Sequence, residues 1–294
     1  MNSFSTFSDL IAVAEQQQKS VADMMVDYEV QKQQMNKEQV WQGMDGCLTV
    51  MMEAVQKGKN SREKSVSGMV GGNAARFGDY MKGSGILGPT AQKAMCYALA
   101  VSEVNAAMGR IVASPTAGSC GILPGAILAA GEALSCTREQ LVAGLFTAAG
   151  VGLVINEHAS LAGALGGCQA ECGSAAAMAA AAVVEMAGGT PRQAGQALAL
   201  AFKNLLGLVC DPVAGLVEVP CVKRNAFGAV HALVAAEMAL SGIESVIPPD
   251  EVITASYEIG CLLPKSLRET SEAGLAKTPT GQAIEAKLHG QNSL

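Results

Sequence analysis

The sequence predicts an all-α protein, a compact bundle of helices rich in small residues, with Gly/Pro-rich loops that carry the polar chemistry. Half of the 294 residues are hydrophobic while only 4% are aromatic. Alanine and glycine dominate from Gly88 to Gly242, where small side chains let helix backbones approach closely and alanine supplies the best helix propensity. Strand-like alternation is almost absent.

The elements follow in chain order. Amphipathic stretches at 8–17, 21–34 and 37–57 read as two or three surface helices, an N-terminal arm over residues 1–60 that packs on the core or on a neighbouring subunit. The remainder, 61–294, reads as a catalytic domain forming one structural unit with that arm. Ser65 to Asn73 is Gly/Ser-rich and precedes a short helical turn; glycine at that density signals close approach of the backbone to a ligand or to a helix. A second Gly-rich loop, Ser114 to Gly125, gathers hydroxyls and free amides before a helix expected from about Ile127. Such a turn is an anion cradle or a tight structural turn. Thr137-Arg138-Glu139-Gln140 and Thr190-Pro191-Arg192-Gln193 have capping-box form, which opens helices near 138–155 and 191–206. An alanine run predicts another helix from Ser174 to Ala187, closed by Gly188-Gly189. Between Val213 and Val222 the β-branched residues are interrupted by glycine and proline, so this reads as a loop.

Composition excludes several roles. A net charge of −6 with no basic cluster argues against nucleic acid. The longest uncharged apolar stretch, Leu141 to Asn156, is shorter than the ~20 residues of a membrane span. Nine cysteines, an odd number with no Cys-x-x-Cys pair and no basic apolar leader before them, point to a reducing cytoplasm.

Three cysteines stand out: Cys168 in Gly-Gly-Cys-Gln-Ala-Glu, and Cys210 and Cys221 at the ends of Cys-Asp-Pro-Val-Ala-Gly-Leu-Val-Glu-Val-Pro-Cys. Their spacing matches no common zinc or ferredoxin pattern, and buried free cysteine is ordinary in a packed core, so spacing alone leaves both readings open. Core filling is the expectation for Cys47, Cys96, Cys120, Cys136, Cys172 and Cys261. His231 sits in an apolar helical pattern as a hydrogen-bonded core residue, and His289 lies in a C-terminal tail. Asp211 reads as a helix cap and Glu218 as a solvated side chain.

Taken together, Ser-Pro-Thr-Ala-Gly-Ser-Cys-Gly-Ile-Leu-Pro at 114–124, Gly-Cys-Gln-Ala-Glu-Cys-Gly at 167–173 and the 210–221 run followed by Arg224-Asn225-Ala226 resemble the α chain of the bacterial iron-sulfur L-serine dehydratases. Ser67-Gly68-Met69-Val70-Gly71-Gly72-Asn73-Ala74, Leu267-Arg268-Glu269-Thr270 and Gly274 to Gly281 extend that resemblance over nearly the whole chain, in the same order.

The resemblance implies an all-helical α domain whose Cys168, Cys210 and Cys221 hold a [4Fe-4S] cluster with one open iron. The implied reaction converts L-serine to pyruvate and ammonia, an amino-acid-degrading step that feeds gluconeogenesis. Ser67, Gly71, Gly72, Ser114, Thr116, Gly118 and Asn225 become candidate substrate contacts, with Arg76 as a further carboxylate clamp. No general base is evident. Relatives carry a Ser-Ser-Ser-His segment in a separate β region that this chain lacks, which implies a β subunit and a hetero-oligomer. The run His158-Ala159-Ser160-Leu161-Ala162-Gly163-Ala164-Leu165 departs from the family's usual Asn-Ala-Ser-Ile-Ser-Gly-Ala-Glu. Alternatives are a related lyase acting on cysteine or another β-substituted amino acid, and a non-catalytic cluster-binding paralogue. A pyridoxal-phosphate lyase is disfavoured by the lack of a Ser-x-Lys motif.

Overall fold

A computed structural model describes residues 4–83 and 85–291. Thirteen α-helices and a few single turns form the described residues; they contain no β-strand, only one isolated parallel bridge between Cys210 and Arg268. The all-α expectation holds, and the reason is visible at the centre. Helix α9 (Ser174–Met186) is alanine-rich and buried on every side, hemmed in by α6 (Ile122–Leu134), α7 (Arg138–His158), α10 (Pro191–Lys203) and α11 (Cys221–Leu240). A helix apolar all round has no solvent face and must lie inside. Its alanines let four neighbours approach closely enough to share it.

The capping boxes form where the sequence placed them. Thr137 and Gln140 reciprocate at the start of α7, and Thr190 and Gln193 at the start of α10, with Pro191 at the first helical position. Helix α6 begins at Ile122, five residues before the expected Ile127. Pro124 does not delay it, because a proline in the first turn lacks only an amide hydrogen that has no intrahelical acceptor there.

The N-terminal helices α1 (Phe7–Gln17), α2 (Val21–Gln33) and α3 (Lys37–Asn60) pack on α10, α7 and α5 (Pro89–Ala106) respectively. Phe7, Leu10, Met25 and Leu48 are fully buried in the same core as α9. Gly58 of α3 meets α5 so closely that a Cβ there would stand 2.1 Å from the Ala100 carbonyl oxygen, so the crossing demands glycine. Residues 117–134 and 138–158 are long and apolar enough to cross a membrane, but 78% and 61% of those stretches are buried within the bundle.

Candidate active site

The remaining elements bring distant cysteines to one buried place. Gly167, with φ +74°, turns the chain from the single helical turn α8 (Gly163–Gly166) into Cys168, and a Cβ there would strike Leu263 at 2.7 Å. A π-type turn, Gln169–Gly173, follows, a local widening of the helix that is frequent at functional sites. Its first residue fixes the register. Gln169 donates its amide to the Leu208 carbonyl (2.9 Å), accepts from the Gly207 amide (2.8 Å) and donates through Nε2 to the Ser256 carbonyl (2.8 Å).

Cys210 lies beside the returning C-terminal segment. Its amide donates to the Leu267 carbonyl (2.9 Å), and the Glu269 amide donates to its carbonyl (2.8 Å). Cys221 is the first residue of α11. The Cys168 and Cys172 sulfurs are 3.3 Å apart. Hydrogen bonds from the Cys172 and Cys210 thiols, with the Arg224 guanidinium adding its charge, hold Cys168 well below the ordinary thiol range. The Cys168 thiolate in turn raises Cys172 and Cys210, while burial above all pushes Cys221 up to about 12. Buried thiols brought together, one of them lowered and backed by a guanidinium, are a donor set for a soft metal. Cys172 is buried in the core cluster, as expected, with its sulfur against that of Cys168, and Cys261 is exposed, not core.

Two carboxylates that sequence reasoning did not single out face these thiols. Glu171, on the π turn, comes 3.9 Å from the Cys210 sulfur and accepts a hydrogen bond from the Thr116 hydroxyl at 2.7 Å. Burial pushes its carboxyl up to about 7, and the Cys168 thiolate and Glu269 add to the shift. Ligand atoms of Glu171, Cys210 and Glu269 lie within 4.8 Å of one another, a grouping able to hold a metal ion. The only prior signal was position, since Glu171 and Glu269 sit inside the Gly-Cys-Gln-Ala-Glu and Leu-Arg-Glu-Thr motifs.

The 114–118 loop closes over the same place. Thr116 meets Glu171, a Cβ on Gly118 would stand 3.0 Å from the Glu171 carboxylate, and Ser114 is buried with its hydroxyl unpartnered among the described residues. Other candidates have different surroundings. Ser67 and Ser65 both donate to the buried Glu218 carboxylate at 2.6 Å, so Glu218 is not solvated. Gly71 turns its backbone against the Glu63 carbonyl, and Gly72 caps α4 (Asn73–Tyr80). The anion at that helix start is the chain's own Glu103, which accepts from the amides of Asn73 (2.8 Å) and Ala74 (3.1 Å). Asn225 spends its amide on backbone: it accepts from Gly121 (2.8 Å) and donates to Gly118 (2.7 Å) and Cys221 (2.9 Å). It ties the hydroxyl loop to the start of α11.

Asp211 is not a helix cap but a clamp, paired with Arg224 at 3.1 Å and accepting the Leu275 amide at 2.8 Å. Arg76 is exposed. His231 bonds the Ala201 carbonyl at 2.8 Å, as a core histidine should, and His158, at the end of α7, bonds the Ser5 carbonyl. His289 lies on helix α13 (Pro279–Gln291) rather than in an irregular tail.

Fold and site define an all-helical protein with a buried centre of thiols, carboxylates and hydroxyls, drawn from segments far apart in the chain. The sequence profile described as serine dehydratase alpha chain matches residues 16–276. The chain belongs to this family, the alpha chains of bacterial L-serine dehydratase, which is a lyase. It is 52% identical over 288 residues to the "Probable L-serine dehydratase, alpha chain" of Bacillus subtilis (strain 168), covering 98% of this chain and 96% of that one. It is 44% identical to the "L-serine dehydratase, alpha chain" of Peptoniphilus asaccharolyticus, covering 95% and 96%. It is also similar to the "L-serine dehydratase TdcG" of Escherichia coli (strain K12), 46% identical over 182 residues that make up 61% of this chain but 40% of that longer one.

Proposed function

We propose that the chain is the catalytic α subunit of an iron-sulfur L-serine ammonia-lyase, converting L-serine to pyruvate and ammonia in the cytoplasm. The observation that carries this reading is the convergence of Cys168, Cys210 and Cys221 on one buried centre beside the hydroxyl loop. These three would hold a [4Fe-4S] cluster. The fit rests on the donor chemistry: three buried thiols, one of them held below the ordinary thiol range, and a guanidinium to offset the negative charge of an iron-sulfide core. When bound, the cluster supplies Lewis acidity to the departing β-hydroxide from its non-cysteine iron.

The chain's own residues then have separable tasks. Ser114 offers the substrate carboxylate a buried hydroxyl that no group among the described residues uses, and Thr116 and Gly118 present the adjoining loop. Asn225 holds that loop against α11, so the distance from hydroxyls to thiols is set before substrate arrives. The loop 65–72 acts one layer out, through the bonds of Ser65 and Ser67 to Glu218, which bear on the run joining Cys210 to Cys221. Arg224, paired with Asp211, stands behind the Cys168 thiolate.

His158 and His231 bond the Ser5 and Ala201 carbonyls, and neither has a hydrogen bond to a thiol, to Glu171 or to the 114–118 loop among the described residues. The base that takes the Cα proton would come from a separate β chain, and the working enzyme would be a hetero-oligomer. The "alpha chain" names of the relatives support this.

Anaerobic purification with iron, sulfide and visible-spectrum analysis tests the reading. About four irons per chain, lost in Cys168→Ala, Cys210→Ala and Cys221→Ala, with L-serine turnover on addition of a β chain, is the expected result. A folded, colourless, iron-free chain after anaerobic reconstitution would overturn it. Turnover of cysteine in preference to serine would move the substrate assignment, and full iron occupancy without turnover in the presence of a β chain would make the protein a non-catalytic paralogue.

A further inference from the structure

Behind the thiols, on the far side of Gln169, lies a second cavity of about 330 Å³. It opens between the end of α7, the α8 turn and α12 (Pro249–Leu262), and is lined among others by Asn156, Ser160, Leu165, Gln169, Tyr257 and Arg268. That volume lies near the lower end of the roughly 300–1,000 Å³ typical of small-molecule sites.

Arg268 is its one cationic lining residue among the described residues. A guanidinium carries five N–H donors and no acceptor. Here Nη1 donates to the Leu165 carbonyl at 3.2 Å, while Nε is buried and has no partner among the described residues. Arg268 also forms no ion pair among the described residues. The neighbouring carboxylate, Glu269, groups instead with Glu171 and Cys210. A partly buried cation with unused donors on a cavity wall is the arrangement that favours an anion, and a planar carboxylate matches its fork. The Leu165 and Tyr257 side chains give that cavity an apolar flank, which suits a short organic body better than bare phosphate.

We propose that this cavity is a binding site for a small organic carboxylate, separate from the thiol centre and mechanically joined to it. The joint is short. Arg268 is bridged to Cys210 through the Cys210 amide on Leu267 and the Glu269 amide on Cys210, and the Gln169 side chain that walls the cavity follows Cys168 directly. Occupancy therefore braces two of the three segments that present the cysteines. This goes beyond the lyase reading, and its test does not depend on turnover.

Titration calorimetry on the full chain with pyruvate, the probe chosen as a small 2-oxo carboxylate, gives the affinity. A Kd of about 1 mM or tighter is expected, weakened at least about tenfold in Arg268→Gln and within about threefold in Arg268→Lys, which keeps the charge. Asn156→Trp, which fills the cavity without touching the arginine, abolishes binding and decides the matter if Arg268→Gln fails to fold. Hydrogen exchange read by mass spectrometry slows for the Cys210 and Glu269 amides at saturating pyruvate, because a ligand of the closed state lowers the open population. Three results overturn the proposal: no binding up to about 50 mM, inorganic phosphate binding as tightly as pyruvate, or pyruvate binding unchanged in both Arg268→Gln and Asn156→Trp, which would put the anion elsewhere.

Discussion

The Thr116 hydroxyl donates to Oε1 of Glu171 at 2.7 Å, joining the hydroxyl loop to the turn that carries Cys168 and Cys172. The bond spans loops that no local pattern relates, and it partners a carboxylate that burial would otherwise leave costly.

Thr116→Val keeps the shape and removes the donor. A buried acceptor that loses its partner costs about 1–3 kcal/mol, so chemical denaturation should show a loss of that order, and Thr116→Ser should restore most of it. The valine variant also removes a group that lowers the Glu171 pKa, so infrared titration of the Glu171 carboxyl should move upward from about 7.

Glu218 makes the equivalent bond between the other loop pair, with Ser65 and Ser67 each at 2.6 Å. Hydrogen bonds to a charged acceptor are worth about 1.5–3 kcal/mol. A double-mutant cycle of Ser67→Ala and Glu218→Gln should return a coupling energy near that range. Additive losses would mean that the two side chains do not meet.

Cys168 and Cys172 are 3.3 Å apart, yet their surroundings shift them in opposite directions, Cys168 well below and Cys172 well above the ordinary thiol range. Cys172→Ala should therefore retain anaerobically bound iron at the parent's stoichiometry, whereas Cys168→Ala should lose it. Iron analysis of the two variants side by side separates the roles of these adjacent sulfurs.

How far the sequence could be read depends on the range of the interaction. Caps are local, so Thr137 with Gln140 and Thr190 with Gln193 announce α7 and α10 within four residues. Burial of α9 follows from its alanines alone. The buried carboxylates were not legible, because the partners of Glu103, Glu171 and Glu218 lie 30, 55 and about 150 residues away. A glutamate's letter does not say whether it meets water, a helix start or a hydroxyl. For the same reason Gly71 and Gly72 read as candidate substrate contacts in sequence, although an internal carboxylate already occupies the helix start beside them.

Glu185 of α9 is partly buried beneath the start of α2, accepting from the amides of Val21 (2.5 Å) and Ala22 (3.2 Å) and from the Thr147 hydroxyl. Burial raises its pKa above 4.5, and those three donors only partly offset the shift. A carboxyl with a raised folded-state pKa binds more protons folded than unfolded, so its contribution is complete below pH 4.5 and is lost as pH rises through the folded value. Glu185→Gln cannot ionise. Its melting temperature relative to the parent should therefore climb as pH rises above 4.5 and level off once the parent's carboxyl is ionised; a flat difference would mean that Glu185 titrates normally.

Asn225 is 1% exposed, and its position needs one acceptor and two donors in a single planar group at the reach of an asparagine. Its oxygen receives the Gly121 amide, while its nitrogen serves the carbonyls of Gly118 and Cys221. Asn225→Ala removes the partner of two buried backbone groups outside the helix ladder, the Gly121 amide and the Gly118 carbonyl, and should cost roughly 2–4 kcal/mol. Asn225→Asp is isosteric yet should be worse: it sets a carboxylate oxygen against two carbonyl oxygens and must be protonated to fit. Because the Asn225→Asp penalty comes from charge, lowering the pH should recover part of it, whereas Asn225→Ala should show no such recovery. Denaturation of both variants across pH 5–8 therefore distinguishes a clip that positions the loop from a side chain that only fills space.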